Sequence, residues 1–432
     1  MEKLLIIGAG PKAMAIASKN MVLRQLGFDT PEIHILEKSG VGAHWTGCSG
    51  YTNGRLELGT SPEKDVGFPY QSACLSEDIN EQIDRLMKEF SWQSFLVSEK
   101  SYSAWVDRGR PAPQHRQWAS YLQWVAQQVE DEVTTHRGEV VQLRTRGQVW
   151  EVAYKTNLGL RTISGDGLVV TGPGQVHMQG VLPEHENLMT VENFWSRYSD
   201  IVGEHAGRIA VVGTGESAAA VAMSLVQAGA ETVGIDIISP NGMAFSRGES
   251  YRENRVYSDA KVGHWDELTL EDRRQFIRRT DRGVFSAYAQ RAIDRADNID
   301  IVPGRLRELA IGKNGLLNIC YEYNRKPRRA SYKYVVIATG ADQLGFLRNM
   351  MDTATQQTLT SRSGVEAFEQ SEVELKIGLD LAIEGLTPKL HLPMLSGLMQ
   401  GPGFANLSCL GRLSDRVLHP YLAEVGTLRR VV

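Results

Sequence analysis

Cysteine is scarce in this chain and too scattered to act as a set. Cys48, Cys74, Cys320 and Cys409 lie far apart, and no C-x-x-C pair occurs. A dithiol redox centre and a cysteine zinc site are therefore excluded as readings, and no metal ligand is assigned. Reduced thiols of an intracellular protein are the expectation. Long apolar runs are missing too, since none approaches the roughly 18 residues of a membrane span. No secretory signal pattern is seen, so a cytoplasmic location is expected. Positive charge is not in excess either. The formal net charge is -4 over 432 residues, which argues against a nucleic-acid partner, because phosphate backbones call for a concentrated positive field. A basic cluster, Arg325-Lys326-Pro327-Arg328-Arg329, sits between strand-like runs and reads as a solvated loop.

What is present is an ordinary globular balance, 42% hydrophobic and 23% charged residues, in a chain long enough for two or three domains. The apolar run Lys3-Leu4-Leu5-Ile6-Ile7 leads into Gly8-Ala9-Gly10-Pro11-Lys12-Ala13. A helix is expected from about Lys12 to Leu26, then a strand at Glu32–Leu36 closed by Glu37. This is G-x-G-x-x-A between a strand and a helix, answered by an acid after the next strand, and it predicts a dinucleotide site. The first glycine permits the tight turn, the second lets backbone approach a pyrophosphate, and the small third residue packs helix on strand. The pyrophosphate meets the free N–H groups of the helix start. Gly8, Gly10, Pro11 and Lys12 are the expected phosphate end, and Glu37, with Lys38 beside it, the ribose end.

The unit recurs about 200 residues on. Ile209-Ala210-Val211-Val212 leads into Gly213-Thr214-Gly215-Glu216-Ser217-Ala218, a helix to about Ala228, and a strand at Thr232–Ile238. That strand ends Ile238-Ser239-Pro240 with no acid, and Arg247 follows. An acid there would repel a 2′-phosphate and an arginine would accept one, so Gly213, Gly215, Glu216, Ser217, Ser239 and Arg247 are expected to hold NADPH rather than NADH. A surface arginine without a ligand is the competing reading of Arg247. Thr171-Gly172 and Thr339-Gly340 each end an apolar strand, as in two-dinucleotide flavoproteins. The expected fold class is α/β, with two Rossmann-like dinucleotide-binding domains and the NADPH domain inserted into a discontinuous FAD domain. Residues 1–205 and 330–432 form the FAD domain, with substrate-contacting loops at 44–70. Residues 206–329 form the NADPH domain, with a substrate-contacting segment at 247–286. A final helix is expected near Ser414–Val425.

The reaction is narrowed by two absences: the redox dithiol of disulfide reductases, and the F-x-G-x-x-x-H motif of Baeyer–Villiger-type monooxygenases, whose place is taken by Asn193-Phe194-Trp195-Ser196-Arg197-Tyr198. The segment Gly59-Thr60-Ser61-Pro62-Glu63-Lys64-Asp65-Val66-Gly67-Phe68-Pro69-Tyr70 points elsewhere. With Tyr102–Trp118, Thr280–Ser286 and Pro388–Asp415, it resembles the flavin-dependent amine N-hydroxylating monooxygenases, the lysine and ornithine N-monooxygenases of siderophore biosynthesis. The similarity is greatest to the mycobactin/nocobactin-type lysine N6-hydroxylases and runs along nearly the whole chain.

The resemblance implies an enzyme in which NADPH reduces FAD, O2 adds to give a C4a-hydroperoxyflavin, and the terminal amine of L-lysine is hydroxylated. The product would feed a hydroxamate siderophore for iron acquisition. It implies that Ser61 and Lys64 bind substrate, with Lys64 pairing with the substrate carboxylate, and that Asn254 contacts substrate, although Arg255 replaces the family's acid and a loop-capping role competes. Asp281 stands where ornithine enzymes carry a substrate-binding asparagine. A carboxylate there repels a carboxylate and attracts an amine. Gly59 replaces a glutamine near flavin and substrate, which leaves room for a longer side chain. His44-Trp45 resembles an inverted W-H pair near the flavin, with plain core cover as the alternative. Gly411 and Ser414, in a segment matching the family's L-S-D, are expected where a helix start faces the flavin, with an N-cap role as the alternative. No acid or base is assigned, because a dry pocket can deprotonate the amine by desolvation. A homo-oligomer is implied. Two alternatives stay open: a decarboxylated amine such as a diamine or histamine as substrate, and a non-catalytic flavin-binding partner protein.

Overall fold

The computed structural model describes residues 1–48, 52–172, 174–176, 183–203, 207–228, 234–366 and 368–422. The apolar runs pair as their composition suggests. Leu4, Leu5 and Ile6 are fully buried, as in a strand covered on both faces of a parallel sheet. In spatial order that sheet runs Lys389–His391, Gly167–Val170, Lys3–Ile7, Glu32–Glu37 and Val133–Arg137, all parallel. The helix Pro11–Gln25 starts at Gly10 with Pro11 in its first turn, where the fixed proline φ suits a helix and its missing N–H costs nothing. It lies between the sheet and the helix Leu410–Leu418, and most of its side chains are buried. One buried link there is ionic: Lys19 Nζ donates to Asp415 at 2.7 Å.

A second parallel sheet runs Ile299–Pro303, Gly234–Ser239, Arg208–Val212, Tyr334–Ile337 and Leu188–Thr190. The helix Glu216–Gln227 follows its glycine turn. Two of these strands correct the expected partition. Leu188–Thr190 and Tyr334–Ile337, placed with the FAD domain by boundaries at 205 and 330, both pair in the second sheet. A returning strand completes its Rossmann sheet beside the strand that began it, and the sequence shows where a strand ends but not which strand it joins. The boundary at 205 itself, and Thr232 and Val233, lie outside the described residues.

Two antiparallel three-stranded sheets flank this frame. One of them overturns the reading of the basic cluster as a loop. Lys326–Tyr332 is a strand paired with Leu317–Tyr323 across a turn at Asn324 and Arg325, whose φ values are 51° and 60°. It is an outer strand of that sheet, so it needs little apolar surface, and Arg328 lies over the Tyr323 ring at 5.5 Å. An aromatic layer from Trp92–Ser98 and His115–Gln128 packs against the first nucleotide helix. Trp92, Trp118 and Tyr121 are fully buried within it. The last helix begins at Leu410 and ends at Leu418, earlier than the expected Ser414–Val425. Residues beyond 422 lie outside the described residues.

Candidate active site

The two glycine turns approach one cavity of about 560 Å³. Backbone geometry explains why glycine stands at each turn. Gly8 has φ +96°, and an added Cβ would lie 2.7 Å from Thr171 Oγ1. Gly213 has φ +134°, and its Cβ would meet the Ala338 carbonyl at 2.2 Å. The first helix start carries no side-chain cap, so its free N–H groups face the cavity that Gly8, Gly10, Pro11 and Lys12 line. Glu37 closes the neighbouring strand, lines the same cavity and accepts from the Ala9 N–H at 3.0 Å. An uncapped helix start beside a carboxylate-tipped strand fits an FAD pyrophosphate and ribose.

Of the remaining expected positions, His44, Trp45, Gly59, Lys64, Asn254, Asp281, Glu216, Ser217 and Arg247 line the cavity. Lys64 Nζ donates to Asn254 Oδ1 at 3.2 Å, which brings residues 190 positions apart into contact. Two local devices place them. Ser61 opens the turn, with Lys64 N donating to the Ser61 carbonyl at 3.0 Å. Asn254 sits on the helix Tyr251–Ser258, whose start is closed by a capping box between Ser250 and Glu253. Its amide also donates to the Glu249 carbonyl at 2.9 Å, so Asn254 both ties the preceding loop and lines the cavity. Desolvation, then Arg247, lowers the Lys64 ammonium below the usual lysine range. Asp281 follows the helix Leu270–Thr280. Burial pushes its carboxyl up from the ordinary aspartate value, against Arg282, Arg247 and a hydrogen bond with Asn406.

Seven expected positions fall elsewhere. Ser61 is exposed and hydrogen-bonds Glu63 at 3.3 Å; it shapes the turn rather than facing the cavity. Lys38 reaches outward to Glu139 at 3.3 Å. Gly411 packs against the 66–70 loop, where a Cβ would meet the Gly67 carbonyl at 2.3 Å. Ser414 is buried in the second turn of its helix and donates to the Gly411 carbonyl at 2.8 Å. The N-cap position is Cys409, five residues earlier than the N-cap reading required. Gly213 and Gly215 form the second turn without lining this cavity. Ser239 is fully buried and holds the following loop through Met243. Arg247 and Glu216 line the cavity but are engaged. Arg247 donates to the Gly59 carbonyl at 2.6 Å and to Glu249 at 2.8 Å, and Glu216 accepts from the Ser286 N–H and hydroxyl.

Three residues escaped the sequence reading. Ser408 lines the cavity, with its N–H donating to Asn406 at 2.9 Å. The Leu-Ser pair occurs four times in the chain, two of them six residues apart at Leu407-Ser408 and Leu413-Ser414, and only packing tells which of these two faces inward. His115 bonds Thr52 at 2.7 Å and meets Trp45 edge-on at 4.9 Å. Burial pushes its imidazole down to about 4, so it is neutral at working pH. Asp65, next to Lys64, is buried and accepts from Trp92 N at 2.9 Å and Tyr70 Oη at 2.7 Å. Lys64 and Asp65 thus divide one motif, the lysine facing the cavity and the aspartate anchoring its loop. Among the described residues no cluster of His, Cys, Asp and Glu is arranged to hold a metal ion, and no helix is long and apolar enough to cross a membrane.

Comparison with known proteins places this geometry among others of its kind. The family model described as L-lysine 6-monooxygenase/L-ornithine 5-monooxygenase matches residues 86–296. The chain is 42% identical over 423 residues to the L-lysine N6-monooxygenase MbtG of Mycolicibacterium paratuberculosis, covering 97% of this chain and 95% of that protein. It is 41% identical to MbtG of Mycobacterium tuberculosis, with 96% and 94% covered. The structure of the lysine monooxygenase NbtG from Nocardia farcinica superposes with a TM-score of 0.82 at 39% identity, covering 96% of this chain and 99% of that one. An ornithine N-hydroxylase from Kutzneria superposes at 0.75 with 17% identity, a likeness of fold.

Proposed function

The chain belongs to the L-lysine 6-monooxygenase/L-ornithine 5-monooxygenase family, and from that membership we propose that it uses FAD, NADPH and O2 to hydroxylate the terminal amine of L-lysine for a hydroxamate siderophore. The observation that carries the reading is the meeting of Lys64, Asn254 and Asp281 in the cavity onto which the first glycine turn opens. FAD is held by the Gly8–Gly10 turn, the start of the helix Pro11–Gln25 and Glu37, and NADPH by the second sheet and its turn. That unit runs from about residue 188 to 340. Bound FAD, once reduced by NADPH, supplies the activated oxygen.

The chain's own work is binding, orientation and exclusion of water. Lys64 offers an ammonium to the substrate carboxylate, and Asn254 supports that ammonium. Asp281 offers a carboxylate to the α-ammonium, so the pair holds both charges of an α-amino acid. The ε-amine must arrive neutral. A lysine amine in water titrates at about 10.4, so keeping it neutral at pH 7 costs about 4–5 kcal/mol, and a cavity that desolvates cations supplies the drive. Desolvation lowers the ammonium groups of Lys12 and Lys64 in the same walls, the direction that a neutral ε-amine requires.

A second reading rests on Asp281, which attracts an amine equally well in a substrate that lacks a carboxylate. An amine panel of lysine, ornithine, cadaverine and histamine decides between them, scored by hydroxylamine formation because uncoupled NADPH oxidation makes peroxide. Hydroxylamine from lysine is expected, in a yellow protein. Peroxide without hydroxylamine from lysine removes the substrate assignment, and a colourless protein that takes up no FAD removes the enzyme.

A further inference from the structure

The helix Pro11–Gln25 carries two buried lysines that are treated differently by their surroundings. Lys19 is neutralised by Asp415 at 2.7 Å. Lys12, 7% exposed, has among the described residues only neutral hydrogen-bond partners, the Ala405 carbonyl at 2.9 Å and Met394 Sδ at 3.0 Å. It also stands in the first turn of its helix, where the helix dipole disfavours a cation. Cys409 and Asp281 act on it through space. The Cys409 thiol is pushed up to about 12 by burial and is uncharged at neutral pH, while the Asp281 carboxyl is shared with Asn406, Arg282 and Arg247. Burial pulls the Lys12 ammonium down to about 8. The protein alone thus leaves a cation in the cavity wall short of negative charge.

Two anionic groups of FAD could supply that charge. The pyrophosphate belongs to the turn, and Glu37 marks the adenosine end. The flavin half would then extend past the helix start, where Met394 and Asn406–Ser408 line the cavity, and Lys12 Nζ reaches to that side rather than to the phosphate end where the sequence placed this residue. Hydride transfer from NADPH brings two electrons and one proton, gives NADP+, and leaves the flavin ring with one negative charge. We propose that Lys12 is the buried cation that compensates the negative charge on the flavin ring after reduction, and so sets the reduction potential of the enzyme. This rests on the FAD reading above.

The test is Lys12→Met, with Lys12→Gln as a second neutral variant and Lys64→Met as a control cation of the same cavity. Oxidised-FAD affinity and the two-electron potential are measured without substrate. Both Lys12 variants are expected to bind oxidised FAD within about twofold of the parent and to lose at least tenfold in preference for reduced over oxidised FAD. Tenfold is a potential about 30 mV lower for a two-electron couple. Lys64→Met leaves the potential unchanged. Weaker binding of oxidised FAD at an unchanged potential assigns Lys12 to the pyrophosphate and overturns the proposal, as does no change in either quantity. A measurement on the unaltered holoenzyme stands if both variants fail to fold: its reduced flavin should show the anionic absorption spectrum well below the pH at which free reduced flavin protonates. A neutral reduced spectrum at pH 7 overturns the proposal. Failure of the unaltered protein to bind FAD would instead remove the functional reading beneath it.

Discussion

Removing Asp415 probes how the cavity wall is built. Its carboxylate accepts from Lys19 Nζ at 2.7 Å and from the Ala73 N–H at 3.2 Å, and the Lys19 and Asp415 side chains are 1% and 5% exposed. The pair bolts the nucleotide helix, whose first turn lines the cavity, to the last helix. Asp415→Ala leaves a buried ammonium with Ser72 Oγ, at 2.5 Å, as its remaining partner. Breaking a buried pair from one side costs about 3–5 kcal/mol. The double variant Lys19→Met/Asp415→Leu strands nothing and should be clearly more stable than Asp415→Ala. Urea unfolding followed by circular dichroism, with oxidised-FAD affinity measured in parallel, reads both effects. If Asp415→Ala leaves the unfolding midpoint in place but weakens FAD binding tenfold, Asp415 faces the cofactor and the structural account of this helix is wrong.

Three further outcomes are expected. Lys64→Ala should raise the KM for lysine roughly 10- to 150-fold, the range of a charge-assisted hydrogen bond of about 1.5–3 kcal/mol, with FAD content unchanged; an unaltered KM would remove the lysine from the carboxylate. Asp281 must be ionised to hold an α-ammonium, and its carboxyl is raised by burial, so kcat/KM for lysine should fall as pH drops through that raised value. Asp281→Asn should flatten the acid limb, and a limb that persists in the variant points to another group. His391 is fully buried, bonded to the Asp380 carbonyl and Tyr421 Oη at 2.8 Å each, and pushed down to about 4. A folded value below the unfolded ~6.5 means the unfolded chain binds the extra proton between those limits, so stability is full above pH 6.5 and falls by about 3 kcal/mol as pH drops to 4. His391→Asn should reduce that slope in pH-dependent unfolding, and an unchanged slope assigns it to other groups.

The parts of this protein that were legible in its sequence are those decided within a few residues. Lys3–Ile7 followed by Gly8-Ala9-Gly10 is a strand and turn because burial on both faces demands an apolar run and the positive φ at Gly8 demands a missing side chain. The same holds at Gly213. The Lys64 loop was legible through likeness to a family, since a lysine among Gly and Pro says nothing alone. The basic stretch Lys326–Tyr332 was misread because an outer strand lacks the buried alternation that marks a strand.

Tertiary structure decided everything that depends on which distant segment is the neighbour. Leu407-Ser408 and Leu413-Ser414 are alike as dipeptides, yet Ser408, in the turn before the last helix, lines the cavity while Ser414, inside that helix, is buried against it. Lys12 and Lys19 are two lysines of one helix, and only the approach of Asp415 makes one an ion pair and leaves the other in the cavity wall. The returning strands Leu188–Thr190 and Tyr334–Ile337 joined the second sheet because parallel pairing is settled between strands far apart in the chain. The sequence by itself therefore determined the two nucleotide units and the class of chemistry, through local backbone conformation and motif. Which side chains face the reaction was settled by packing between distant segments, because burial and charge compensation are properties of neighbours in space.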